Sequence, residues 1–275
     1  MILPTAGPLA SAATEAPSIA VEKTVVLYDG KTVNDLSKFY VWLGPKAHED
    51  TNRVFTVVGQ IDGAPAIRVS GEDWGGLVTP EQYSRYKLVV EYRWGNVTSG
   101  KRMNMARNSG VLLHCQGEDG NFEPGFESPW CASVEYDIME GRTGVAVLVP
   151  GYRARGSTER VVPRATMCAK PDSFYWDPQG SPREFKAGQK PFHWFAEDPG
   201  WKDVLGFRGK NDLEKPLGEW NLAEAIVDEG TLIYFLNGVK TMELSHCTLT
   251  FGRLLFQSEG AEIYFRRIEL QPLDH

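Results

Sequence analysis

The 275-residue chain is 42% hydrophobic and 24% charged, with 8 Trp, 10 Tyr and 13 Phe, which excludes a disordered chain, a collagen-like repeat and a bundle of membrane helices. Its 29 basic against 36 acidic residues give a net charge of −7. That balance excludes a general affinity for nucleic acid or anionic lipid, because neutralising phosphates takes clustered Lys and Arg.

Residues 1–23 read as a disordered leader or the remnant of an export signal: the segment is poor in charge and contains Ala-Ser-Ala at 10–12, but lacks a basic start and is broken by Pro4 and Pro8. A periplasmic or extracellular location is the expectation that follows. From Thr24 onward, short runs of β-branched and aromatic residues alternate with Gly, Pro, Asn and Asp. TVVLYDG (24–30), RVFTVVGQIDG (53–63), AIRVSG (66–71), YKLVVEYRW (86–94), SGVLLHC (109–115) and SVEYDIME (133–140) are expected strands. Residues 150–218 break the pattern with eight prolines and three tryptophans, as ordered loops built over a site would. Strand grammar returns at 218–230, 231–244 and 252–273. Asn237-Gly238 marks a hairpin, since a two-residue turn needs positive φ at both central positions.

One all-β domain over 24–275, with a loop-rich insertion at about 150–218, is the economical reading. Many antiparallel hairpins without intervening amphipathic helices predict two packed sheets, a sandwich or jelly roll. No window reaches 18 uninterrupted apolar residues, so no membrane span is expected. The four cysteines contain no CxxC pair, which argues against a zinc ribbon and permits two disulfides.

The most informative segment is SVEYDIMEG, which places Glu135, Asp137 and Glu140 within six positions. On a strand Glu135 and Asp137 share one face. Glu140, five positions on, joins them only if a β-bulge inserts one residue. Its carboxyl then closes to about 5–6 Å from that of Glu135, near the spacing that retaining glycosidases use. In that arrangement Glu135 is the nucleophile, Glu140 the general acid/base, and Asp137 tunes one partner's proton affinity.

These residues match the E-x-D-x-x-E pattern of laminarinase- and lichenase-type glycoside hydrolases, which are concanavalin A-like jelly rolls. A wider resemblance runs from about Thr24 to Leu273. LYDGKTVNDLSKFYVWL, RVSGEDWGGLVT, ARNSGVLLHC, YDIMEGRTG, DPGWKDVLGFRGKNDLEKPLGEWN and GRLLFQSEGAEIYFRRIEL resemble the 3-keto-disaccharide hydrolase domain family, which shares that fold. The resemblance implies action on a sugar already oxidised at C3. The ketone acidifies the C2 proton, so a base can remove it, the C1 substituent can leave by β-elimination, and water can add to the double bond. That step needs no redox cofactor, and the chain has neither a G-x-G-x-x-G turn after a strand nor a P-loop. Asp137 stands where family members often have a neutral residue, which leaves elimination and direct hydrolysis both open.

Supporting residues follow from the alternation. His114 shares the face of Leu112 and is a candidate second base or metal ligand; Arg107 and Asn108 open the same strand and are candidates to hold an enolate or sugar hydroxyls. Gln257 and Glu259 alternate on one face, as sugar contacts would. Trp74, Trp130, Trp194 and Trp201 lie near Gly- or Pro-rich breaks, where an indole can present a flat face to a pyranose ring. YDGKTVND and GEDGN offer oxygen donors for a divalent metal ion without matching an EF-hand. The leading expectation is therefore an enzyme acting on 3-keto-glycosides, followed by a retaining β-glucanase and by a non-catalytic carbohydrate-binding module.

Overall fold

The computed structural model describes residues 17–31, 35–124, 128–194 and 197–274. Two sheets pack face to face. The larger has nine strands. Seven of them run in the order Val239–Leu244, Thr231–Leu236, Asn221–Asp228, Tyr83–Thr98, Ala261–Gln271, Ala64–Val69 and Phe55–Ile61. Val25–Tyr28 adds to Ala261–Gln271, and Ile19–Ala20 pairs in parallel with the start of Tyr83–Thr98. The smaller sheet is antiparallel throughout, in the order Val145–Val149, Ala132–Met139, Asn108–Gln116, Arg253–Ser258, Gly75–Val78 and Tyr40–Trp42.

Period-2 alternation produces this arrangement. In NLAEAIVD (221–228) every second side chain is buried, as expected of a strand with one face on the core. The strand Ala132–Met139 is instead buried along its whole length. Val134, Tyr136 and Ile138 join the core between the sheets, while Glu135 and Asp137 occupy the other face, beneath loops. The Tyr136 ring packs, tilted by 41°, at 4.6 Å from that of Tyr234 in the larger sheet and its hydroxyl donates to the Phe235 carbonyl, clamping the sheets together.

Asn237 and Gly238 have φ of 49° and 82°, the conformation a two-residue hairpin turn demands. Of the expected leader, residues 1–16 lie outside the described residues. Ile19 and Ala20 are paired to the sheet and Val21 is buried, so ordered structure starts before Thr24. Residues 150–218 contain two short hairpins, Gly151–Tyr152 with Arg160–Val161 and Arg164–Ala169 with Ser181–Lys186. Among the described residues no helix is long and apolar enough to cross a membrane.

Candidate active site

The outer, loop-covered face of the smaller sheet is organised in rows that cross the strands. Asp137 pairs with Gly110 on one side and Val145 on the other. Gln257 pairs with Gly76, and Gly76 with Trp42. The Phe256–Val111 pair sets Gln257 beside Gly110, so one row reads Trp42, Gly76, Gln257, Gly110, Asp137, Val145. The adjoining row reads Val78, Leu255, Leu112, Glu135, Val147. With neighbouring strands roughly 4.8 Å apart, Trp42 stands about 19 Å from Asp137, a span suited to more than one sugar ring.

Gly110 makes the floor hollow. A Cβ there would lie 2.6 Å from Gln257 Oε1 and 2.8 Å from Glu135 Oε1, so any larger residue would push those side chains apart. Around this hollow the chain gathers Glu135, Asp137, Gln257, Glu259 and Asn108. Gln257 hydrogen-bonds Glu135, and Asn108 hydrogen-bonds Glu259. Gln257 Oε1 and Asn108 Oδ1 are buried with no partner among the described residues. Two unpartnered acceptors at this floor suit a ligand rich in hydroxyl donors.

The electrostatics divide the acids. Burial pushes the Glu135 carboxyl well above the usual carboxylate range, and the charges of Asp137 and Glu259 push it further. Glu259 is pushed up to about 8, by burial first and by Asp137 second. Asp137 instead accepts from Arg142 Nη2 at 2.8 Å. Arg142 lies against the Trp201 ring at 4.8 Å, and its Nε has no hydrogen-bond partner among the described residues.

Two expected members stand elsewhere. The pairing of Ala132–Met139 with Val145–Val149 is regular, so the bulge that would return Glu140 to the face of Glu135 is missing. Glu140 follows the strand and enters a buried ion pair, taking Arg107 Nη1 at 2.5 Å on one oxygen and the Gly206 amide at 3.0 Å on the other. Arg107 also donates to the Gly95 carbonyl. Both are thus built into the end of the sandwich, where they line a cavity of about 500 Å³ with Arg208, Asp212 and Glu214. None of Glu135, Asp137 or Gln257 lines that cavity.

The bulge occurs one strand over, at His114. Three positions separate Leu112 from Cys115, whereas two separate their partners Leu255 and Arg253. His114 takes a φ of 59°, and the irregularity turns its ring away from the face of Leu112. It is fully buried against the Tyr86 ring, with Nδ1 2.9 Å from the Leu249 carbonyl. Burial lowers its pKa to about 4, so the imidazole is a neutral core group and not a second base at this floor.

The tryptophans divide as well. Trp74 and Trp130 stack at 6.3 Å and pack on Val78, Leu112 and Leu255 at the floor's apolar end. Trp201 donates to the Glu140 carbonyl and supports Arg142. Trp194 is buried. A disulfide joins Cys115 to Cys131, while Cys168 and Cys247 are unpaired. Among the described residues no group of three or more His, Cys, Asp or Glu side chains could hold a metal ion. Part of YDGKTVND lies outside the described residues.

Sequence reasoning missed Arg142, His193 and Glu197. Phe192 pairs with Ala146 and sits in the core, so His193 next to it turns to the face of Asp137. Its Nδ1 lies 2.8 and 3.0 Å from the two oxygens of Glu197. The spacing of four in HWFAE was the available signal, hidden in a stretch without strand alternation.

A family model for the 3-keto-alpha-glucoside-1,2-lyase-like domain matches residues 23–271. The chain belongs to that family. Membership makes it carbohydrate-active. No curated protein matches the chain. Among solved structures, the chain is similar to a protein of Parabacteroides distasonis provisionally named a glycosyl hydrolase, at 17% identity over 92% of this chain and 95% of that one, with a TM-score of 0.48. It is also similar to LamAcat of Zobellia galactanivorans at 14% identity, over 90% and 96% of the two chains, with a TM-score of 0.42. The jelly-roll architecture of the lyase-like domain rests on its own two sheets, not on these distant likenesses.

Proposed function

We propose that this chain cleaves the glycosidic bond of 3-keto-glycosides by removing the C2 proton, eliminating the C1 substituent and hydrating the resulting double bond. The observation that supports this most is the contrast within one hollow: burial and the charges of Asp137 and Glu259 raise the proton affinity of Glu135 well above the usual carboxylate range, while Asp137 beside it is ion-paired to Arg142. Elimination needs that division of labour.

Asp137 takes the C2 proton, and the C–H electron pair moves to the C3 oxygen as an enolate. Arg142 supplies positive charge next to that oxygen. The enolate returns to the ketone as the C1–O bond breaks, and Glu135 gives its proton to the departing oxygen. Water then adds a hydroxyl at C1 and a proton at C2. Asn108 and Gln257 offer acceptors to the sugar hydroxyls, and Trp74 with Trp130 offers an apolar wall. The retaining-glucanase alternative loses its acid/base, because Glu140 is engaged by Arg107. The Cys115–Cys131 disulfide supports work in an oxidising compartment, periplasmic or extracellular.

Incubation with a 3-keto-glucoside and with its unoxidised parent tests the reading. Release of aglycone from the keto sugar alone is expected; equal release from both, or from the parent alone, refutes it.

A further inference from the structure

The smaller sheet continues past its edge strand in a way that places a second acid/base station beside the first. Phe192 exchanges backbone hydrogen bonds with Ala146, and Tyr175 bridges His193 one strand further out. Continuing the antiparallel register sets His193 opposite Val145. The row that holds Gln257, Gly110 and Asp137 therefore extends through Val145 to His193 and Tyr175. Two strand spacings, roughly 10 Å, separate the backbones of Asp137 and His193, and both side chains stand on the same face.

His193 has the surroundings of a proton carrier. The Glu197 carboxylate is buried, with 2% of its side chain exposed, and accepts from Nδ1 through both oxygens. In the neutral imidazole that contact places the ring proton on Nδ1 and leaves the lone pair on Nε2. Tyr175 stacks on the ring at 4.9 Å and holds its plane. The His193 side chain is 20% exposed, so solvent reaches it, unlike the Asp137 carboxyl at 5%. The charged groups facing this cluster are Arg142 from the turn after the acidic strand and Glu197 and Asp198 from its own loop, with the neutral phenol of Tyr175 on the paired stretch.

We propose that His193, oriented by Glu197, is the base that activates water for the hydration step. This rests on the elimination chemistry proposed above and adds a separate residue for its second half. Nε2 takes a proton from water as the water oxygen bonds to C1 of the unsaturated ketone. The C1=C2 electrons shift toward C3, forming the enolate again. Protonated Asp137 returns its proton to C2, the ketone reforms, and His193 releases its proton to solvent, from which Glu135 regains the one it gave to the departing oxygen. One water is consumed, and no oxidant or reductant takes part.

The test is a product split on a 3-keto-glucoside carrying a chromogenic aglycone, with the enone followed by its ultraviolet absorbance. For His193→Gln and Glu197→Gln we expect aglycone release within about threefold of wild type, with hydration slowed about 10²-fold, so that the enone accumulates. Imidazole added to His193→Ala should restore hydration, a rescue that a folding defect would not show. Parallel loss of release and hydration in both variants, or no imidazole rescue, overturns the assignment of His193 while leaving the elimination reading standing. A wild-type protein that releases no aglycone overturns both.

Discussion

Arg142 Nη2 lies 2.8 Å from Asp137 Oδ2, so the acid at the centre of the floor is balanced by a cation from the turn just past its own strand. Gly141 and Gly144, with φ of 80° and 99°, let that turn fold tightly enough to bring the guanidinium back. Arg142→Gln removes the balancing charge from a cluster that also holds Glu135 and Glu259. We expect kcat/KM on the keto sugar to fall about 10²-fold or more in the folded protein, and the melting temperature to fall as well, because buried Asp137 loses its partner. Activity within threefold of wild type in a folded protein would show that Arg142 has no part in the reaction.

Glu135 and Glu140, though five residues apart, should respond in opposite ways. Glu135→Gln removes the proton donor, so aglycone release should collapse while the fold holds. Glu140→Gln leaves the Arg107 guanidinium buried without its carboxylate, a loss of about 3–5 kcal/mol in stability. Its remaining folded fraction should keep near-normal turnover. Denaturant titration alongside single-turnover kinetics separates the two, and a Glu140 variant of normal stability but no turnover would restore the retaining-glucanase arrangement.

Glu259 ties stability to pH. Its carboxyl is pushed from the ordinary value of 4.5 up to about 8, so between those limits the folded state binds more protons than the unfolded chain. Stability therefore falls as pH rises through that window, and Glu135 adds to the fall. Glu259→Gln should shrink the loss of melting temperature between pH 5 and about 8.5, raising it at the alkaline end. An unchanged pH slope in the variant would place the proton elsewhere.

Gly110→Ala tests the hollow itself. The added methyl would meet Gln257 and Glu135 at under 3 Å, while Gly110 has no positive φ that strains an alanine. The side chains should splay, raising KM and lowering kcat/KM by at least tenfold. Calorimetry with the bound keto sugar would read the same loss as weaker affinity.

Much of this architecture was legible from alternation. SVEYDI has the period-2 pattern of a strand whose odd positions take the outer face and whose even positions face the core, and Asn237-Gly238 located its hairpin from φ requirements alone. The short strands Tyr40–Trp42 and Gly75–Val78 were not legible, because three or four residues give too little pattern. The errors at His114 and Glu140 share one cause. Parity along a strand determines which face a side chain takes, and a single bulge reverses parity for everything beyond it. The sequence does not mark which strand bulges, and the bulge lies in SGVLLHC rather than in SVEYDIME. His193 was obscured differently: its place on the floor depends on a backbone pairing with Ala146, over forty residues away, in a segment whose own pattern is irregular.

The most direct measurement of the central claim is the primary isotope effect at C2. A 3-keto-glucoside deuterated at C2 should release its aglycone several-fold more slowly in a single turnover than the same sugar with hydrogen at C2, and Asp137→Asn should abolish release from both. Equal rates from the two sugars, with cleavage surviving in Asp137→Asn, would contradict proton abstraction by Asp137 and return the protein to direct hydrolysis.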